Sequence, residues 1–92
     1  MQVLEQAASV LRILSHPHRL KIVELLSGGR KTVGELTECL GLAQNAVSQH
    51  LNSMKAHGIL DRTRDGRFVY YTVVHPHAKT LLGCIRKHAC DE

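Results

Sequence analysis

Aromatic side chains are scarce in this chain of 92 residues, which has no tryptophan. Its one phenylalanine and two tyrosines fall within a single short segment, at Phe68, Tyr70 and Tyr71. RNA-binding sheets and single-strand-binding proteins stack bases on aromatic rings that are spread over a surface. The composition therefore argues against both of these classes.

Cysteine pairs, long apolar runs and targeting signals are also lacking. The three cysteines, Cys39, Cys84 and Cys90, are an odd number without a Cys-x-x-Cys pair, which argues against a disulfide scaffold or a zinc ribbon. No apolar run approaches the ~20 residues that span a membrane. The chain start also has no basic stretch followed by an apolar run, as a signal peptide has. We therefore expect a cytoplasmic protein with no membrane partner.

Size and charge limit the remaining classes. A chain this short forms a single domain, residues 1–92, and a small domain gains stability from any additional buried face. Twelve Lys and Arg against eight Asp and Glu leave a net charge of +4, which permits nucleic-acid binding without requiring it. The chain has no phosphate loop and no nucleophile elbow, so we expect that it is not an enzyme.

Hydrophobic spacing and turn residues predict a mainly α fold with a small β-hairpin, in the order α-α-α-α-β-β-α. The strongest local signals are a capping box at Thr32 and Glu35, a glycine stop at Gly41 and a hairpin turn at Asp65-Gly66. Two short helices joined by a glycine-containing turn form a helix-turn-helix, and a following hairpin makes it a winged one. The predicted elements are helices at 2–14, 17–27, 33–40 and 44–57, strands at 60–63 and 67–73, and a last helix at 76–90, with Arg30 and Lys31 in a loop. The helix-turn-helix then covers about 33–57, and the wing about 60–73.

The second helix of this motif has a polar face that suits DNA. The face contains amides, a hydroxyl and one lysine, and no carboxylate that phosphate would repel. Asn and Gln make paired hydrogen bonds to adenine in the major groove. The alternative is a protein–protein interaction module that uses the same face for a partner. The predicted contacts to an operator in double-stranded DNA are Gln44, Asn45, Ser48, Gln49, Asn52 and Lys55 on the helix, and Arg62, Arg64 and Arg67 on the wing.

Five segments stand in order along the chain: SHPHRLKI (15–22), VGEL (33–36), AVSQHL (46–51), GIL (58–60) and DGRFVYY (65–71). Together they resemble the ArsR/SmtB family of bacterial winged-helix repressors, over nearly the whole chain. The resemblance implies a homodimer. The first and last helices, about 2–14 and 76–90, both carry apolar stripes that one small core cannot bury, so we expect the dimer to form through them. It also implies a repressor that leaves its operator when an effector binds. One departure is Ala43, where such proteins often have a serine that caps the recognition helix.

The end of the chain carries a candidate metal site at His75, His77, His88 and Asp91. Zinc sensors of the family use Asp-x-His, ten residues, and then His-x-x-Glu or His-x-x-His; the spacing matches here, while the first and last residue types differ. His77 and His88 lie about 16 Å apart along a helix, which one ion with bonds of about 2 Å cannot bridge. The site would therefore be shared between two antiparallel subunits, and its imidazole and carboxylate ligands suit zinc, nickel or cobalt.

The cysteines offer a second type of effector site, one that reacts through a thiol. Arsenic and cadmium sensors of the family carry two cysteines in the third helix, where this chain has Cys39 alone, interpreted as a small hydrophobic residue. Cys84 shares a predicted helix stripe with two of the candidate histidines and would face the partner subunit, and Cys90 is a candidate exposed thiol. His50 lies beside the inward stripe of the recognition helix, which indicates packing or a phosphate contact rather than a metal ligand.

Overall fold

The chain folds into four helices and a small antiparallel sheet, in a computed structural model that describes residues 2–75 together with 78, 80 and 83. The predicted order of four helices and a hairpin is confirmed for this part of the chain. The predicted last helix, 76–90, lies outside the described residues apart from those three positions. No helix in the described ranges is long and apolar enough to cross a membrane. The elements are α1 (Gln2–Leu14), α2 (Pro17–Ser27), β1 (Lys31–Thr32), α3 (Val33–Leu40), α4 (Gln44–Ala56), β2 (Leu60–Asp65) and β3 (Phe68–Val73).

The predicted wing is an antiparallel hairpin of β2 and β3, with a turn one residue later than expected. Because Asp65 pairs with Phe68, both residues belong to the strands and the turn consists of Gly66 and Arg67. Gly66 has a φ of +65°, a backbone conformation that a two-residue type II′ turn requires at its first position. The sequence motif was therefore correct in kind, and the glycine decides where the chain reverses.

The strand β1 is not predicted by the sequence pattern, and the expectation of a loop at Lys31 is wrong. Lys31 pairs with Tyr71, and Thr32 pairs with Tyr70, so that the sheet has the order β1-β3-β2. Two residues show no alternation that a pattern search can detect. This strand exists because the edge of β3 opposite β2 offers unpaired backbone groups to whatever lies beside it.

The core lies where the helices meet the sheet, and α4 supplies its central stripe. Val47, Leu51 and Met54, which the spacing predicts to face inward, are each 0% exposed, as is Leu36 of α3. Positions i, i+4 and i+7 lie on one face of a helix, so burying them leaves the opposite face of α4 in solvent. The core thereby fixes which side chains of α4 are available for binding.

The start of α3 has the capping box that the sequence predicts. The Thr32 hydroxyl accepts a hydrogen bond from the Glu35 amide at 3.2 Å, and the Glu35 carboxylate accepts one from the Thr32 amide at 3.0 Å. The Thr32 hydroxyl also donates to the Glu35 carboxylate at 3.1 Å, and the bonds that the Thr32 amide and hydroxyl donate, with a further contribution from Lys31, hold the pKa of Glu35 below its usual value. Gly41 ends the helix in the left-handed conformation, with a φ of 67°. Both ends of the first helix of the motif are thus set by local sequence.

The start of α4 lacks such a cap, and a single substitution is expected to supply it. Ala43 occupies the N-cap position with extended backbone and makes no side-chain hydrogen bond. Ala43→Ser places a hydroxyl where it accepts from a free amide of the first turn, and we expect it to raise the free energy of unfolding by about 1 kcal/mol. Chemical denaturation measures the difference. Ala43→Val is the matched control, because valine adds volume without an acceptor and provides no such gain.

Candidate nucleic-acid interface

The exposed face of α4 forms a shallow, open groove of polar side chains. Val47 and Leu51 anchor the opposite face in the core, which holds the helix in one rotational setting. Five of the six predicted contacts on the helix are exposed, and the sixth, Ser48, is half-buried. The residues that line the groove are Gln44, Asn45, Ser48, Gln49 and Asn52. The structure therefore brings five of the predicted helix contacts together on one surface.

The Asn45 side chain also makes a local hydrogen bond at the start of α4. Its side-chain oxygen accepts a hydrogen bond from the Ala46 amide at 3.0 Å. The Ala46 amide also donates to the Ala43 carbonyl at 3.1 Å, so the Asn45 oxygen is a second acceptor for it. Paired hydrogen bonding to adenine uses both the oxygen and the nitrogen of an asparagine amide. A base contact of this kind would share the Asn45 oxygen with the Ala46 amide or compete with it.

The wing carries its arginines on and beside β2. Arg62 and Arg64 are two residues apart in one strand and so point to the same side of the sheet, and Arg67 lies in the turn. All three side chains are exposed. The Arg64 Nε atom donates a hydrogen bond to the Gly66 carbonyl at 3.2 Å, which holds the guanidinium group close to the turn. The three arginines therefore form an exposed cationic strip along the hairpin.

A fourth arginine, which was not predicted as part of the interface, neutralises Asp65, one of the two acidic residues in the wing. Arg30 donates to the Asp65 carboxylate at 2.9 Å, and its guanidinium carbon lies 4.0 Å from the centre of the Tyr70 ring. Both partners are exposed, so the ion pair contributes little to stability. Its effect is on the charge of the wing, because Arg30 neutralises the Asp65 carboxylate.

Three histidines and an arginine that the sequence does not connect meet at the other side of α4. The Arg19 Nε atom donates to His50 Nδ1 at 3.0 Å, and the His50 ring lies 4.6 Å from the His16 ring and 5.9 Å from the His18 ring, measured between centroids. Burial lowers the pKa of His50, and the neighbouring His16, Arg19 and His18 lower it further. Packing of His50 was expected from the sequence, but its histidine partners were not, since they lie more than 30 residues away.

The predicted effector residues fall mostly beyond the described part of the chain. His77, His88, Asp91, Cys84 and Cys90 lie outside the described residues. His75 is described, and its amide donates to the Ile59 carbonyl at 3.3 Å. Cys39 is exposed on α3 as a free thiol, so its interpretation as a small hydrophobic residue is wrong. The side chain points outward because the short helix buries only Leu36 fully.

Comparison with known proteins identifies the family. A family model described as a helix-turn-helix domain matches residues 14–63. The chain is 38% identical over 91 residues to the HTH-type transcriptional repressor SmtB of Mycobacterium tuberculosis, covering 99% of this chain and 67% of that protein. The chain belongs to the ArsR/SmtB family of winged-helix repressors. This ArsR/SmtB protein is also 38% identical over 87 residues to the HTH-type transcriptional regulator YgaV of Escherichia coli, covering 94% of this chain and 88% of YgaV.

A solved structure extends the likeness to the whole architecture. The homodimeric winged helix-turn-helix DNA-binding domain of Mb0332 from Mycobacterium bovis superimposes with a TM-score of 0.84 at 25% identity, covering 99% of this chain and 84% of that chain. Membership of the ArsR/SmtB family makes this protein a DNA-binding transcriptional regulator of the repressor type and, as predicted, not an enzyme. It also favours DNA over a protein partner for the polar face of α4.

Proposed function

We propose that this ArsR/SmtB protein represses transcription by laying α4 in the major groove of an operator, with the wing against the adjacent backbone. The exposed, carboxylate-free face of α4 carries this proposal. Amide side chains at its start face the bases, and the lysine and arginines farther out contact phosphate or the minor groove. The proposed base contacts are Gln44, Asn45, Ser48 and Gln49, and the proposed contacts to phosphate or the minor groove are Asn52, Lys55, Arg62, Arg64 and Arg67.

A homodimer formed through α1 and the last helix belongs to the same proposal. Three apolar side chains of α1 are left in solvent: Val3 is 76% exposed, Leu4 65% and Leu11 49%. A partner subunit that covers them would stabilise a domain this small. The Mb0332 domain is described as homodimeric, which supports the same arrangement here. Two-fold symmetry then places two copies of α4 on half-sites spaced by one turn of DNA, about 34–36 Å, or by a multiple of it.

The dimer is checked by sedimentation equilibrium of the purified chain. We expect the mass of two chains, each of 10.2 kDa. Leu4→Glu together with Leu11→Glu is expected to reduce the mass to one chain, because two carboxylates would be buried in an apolar interface. The same double change to alanine is the control that removes apolar area without adding charge. A wild-type mass of one chain at micromolar concentration contradicts the dimer.

Release from the operator would come from an effector that binds at the subunit interface in the cytoplasm. We propose the shared site of His75, His77, His88 and Asp91 for a zinc, nickel or cobalt ion, with Cys84 and Cys90 as thiol alternatives. Each set supports a different experiment. Metal ions added to the protein–DNA complex test the first set, and a thiol oxidant tests the second. Binding that weakens with one of them identifies the type of effector.

Operator binding is tested by mobility shift against DNA from upstream of the chain's own coding region, with a random duplex of equal length as control. At physiological salt we expect the upstream DNA to bind at least about a thousandfold more tightly than the random duplex. Steep salt dependence alone is not sufficient, because phosphate contacts produce it on any sequence. Equal affinity for both duplexes would remove sequence-specific recognition and leave a general DNA-binding protein.

A further inference from the structure

Three histidine side chains converge between the start of α2 and the middle of α4. His16 is the N-cap of α2, His18 lies in its first turn, and His50 comes from α4. All three are half-buried. One ring nitrogen of each residue lies within 4.8 Å of the corresponding nitrogens of the other two. Within residues 2–75, 78, 80 and 83, this is the one cluster of metal-ligating side chains with such spacing.

We propose that His16, His18 and His50 form a binding site for a divalent transition-metal ion of borderline softness, such as Zn²⁺. Three imidazoles with a water molecule as the fourth ligand are an established zinc environment. The absence of a thiolate disfavours soft ions, and the absence of a carboxylate disfavours calcium and magnesium. This site is separate from the one proposed at His75, and it does not depend on DNA binding.

The distances are compatible with such an ion after a small adjustment. Tetrahedral zinc with bonds of about 2.05 Å needs ligand nitrogens about 3.4 Å apart. The observed upper limit of 4.8 Å therefore has to shorten by about 1.4 Å at most. Rotation of the imidazole rings about their side-chain bonds supplies movements of this size without moving the helices, since none of the three rings is fully buried.

The hydrogen bonds of the cluster identify the atoms that bind and the group that competes. His16 Nδ1 accepts from the His18 amide at 3.2 Å, and His50 Nδ1 accepts from Arg19 at 3.0 Å. Both neutral rings then carry their hydrogen on Nε2. Coordination through Nε2 of His16 or His50 requires that the hydrogen move to Nδ1, so the bond from the His18 amide or from Arg19 must break. Arg19 keeps its second bond, to the Ile13 carbonyl at 3.3 Å.

Occupation of this site would link the recognition helix to a helix that carries no DNA contact. His50 stands between Gln49, a proposed base contact, and Leu51, a core residue. An ion bound by His50 and by the histidines at the start of α2 therefore connects α4 to α2 directly. The connection lies at the border between the buried face of α4 and its polar face. It would also exchange the Arg19–His50 hydrogen bond for metal coordination.

Zinc binding by the full-length protein tests the proposal. The stoichiometry is measured by native mass spectrometry, and the affinity by competition with a chromophoric chelator. The starting protein carries His77→Gln and His88→Gln, which removes two ligands of the other proposed site. We expect this protein to retain one zinc ion per chain. Zinc should also shift the NMR signals of the His16, His18 and His50 rings.

Two conservative variants separate metal binding from structure. His50→Asn keeps an acceptor for Arg19, and His16→Asn keeps a good N-cap for α2, so both are expected to fold. Each should weaken zinc binding at least about tenfold, since even outer-shell changes commonly cost that much.

Arg19→Gln removes the competing cation and is expected to strengthen zinc binding about threefold or more. His57→Asn, at the exposed end of α4, is the control and should leave affinity unchanged.

The proposal is overturned if the protein without His77 and His88 binds no zinc. It is also overturned if His50→Asn and His57→Asn bind zinc with equal stoichiometry and affinity, or if none of the three ring signals shifts. Circular dichroism of the metal-free variants verifies that they are folded. None of these measurements involves DNA, so failure of the metal site and failure of operator binding are independent outcomes.

Discussion

Replacing both Asn45 and Gln49 by glutamate is expected to lower operator affinity at least about a hundredfold. Each good base contact contributes about 1–3 kcal/mol of discrimination, so two lost contacts alone account for this factor. Two carboxylates facing phosphate add repulsion to that loss. Both side chains are exposed, so the substitution leaves the core of α4 intact. Fluorescence anisotropy with labelled operator DNA measures the change.

The control for this double substitution adds a carboxylate elsewhere. Ser27→Glu places a negative charge at the exposed end of α2, a helix with no proposed DNA contact, and should change affinity by less than about threefold at physiological salt. The double variant should keep the helix content and the sedimentation mass of the wild type. If a folded double variant binds the operator as tightly as the wild type does, α4 is not the recognition helix.

Leu51→Ala is expected to lower the free energy of unfolding by about 3 kcal/mol. Leu51 is fully buried on the face of α4 opposite its polar face, and it packs in the core with Val47 and Met54. Alanine is an excellent helix former, so the loss reflects the cavity and not the helix. Such a loss is a large share of the free energy of unfolding of a typical domain, which is about 5–15 kcal/mol.

The neighbouring residue provides the matched control for this core substitution. Asn52→Ala changes the next position of α4, which is exposed, and should alter unfolding free energy by no more than about 0.5 kcal/mol. Chemical denaturation at one fixed protein concentration compares the two variants, because dimerisation makes stability depend on concentration. Equal stabilities for the two variants would contradict the assigned orientation of α4.

Much of the DNA-binding unit is predictable because its signals are local. A capping box spans four residues, a glycine stop is one residue, and the buried stripe of α4 repeats within two turns. Each of these features acts through neighbours along the chain, such as Thr32 with Glu35 or Val47 with Leu51, so the spacing in the sequence already contains the geometry. The turn at Gly66 was predicted for the same reason, and missed by one residue because strand pairing decides which residues remain in the ladder.

The interactions that the pattern missed join distant segments. The strand at Lys31 depends on Tyr71, the Arg30–Asp65 pair spans 35 residues, and His50 meets its partners only after α2 packs near α4. The exposure of Cys39 is of the same kind, because a cysteine on a short helix is buried or free according to what covers it.

By itself, the sequence determined the helix-turn-helix, the wing and the polar face of α4, because periodicity and end signals act between residues a few positions apart. Only the tertiary structure decided the third strand, the partner of Asp65 and the histidine cluster, because those contacts depend on how separate elements pack. Packing is a property of the whole core, and no short stretch of sequence encodes it.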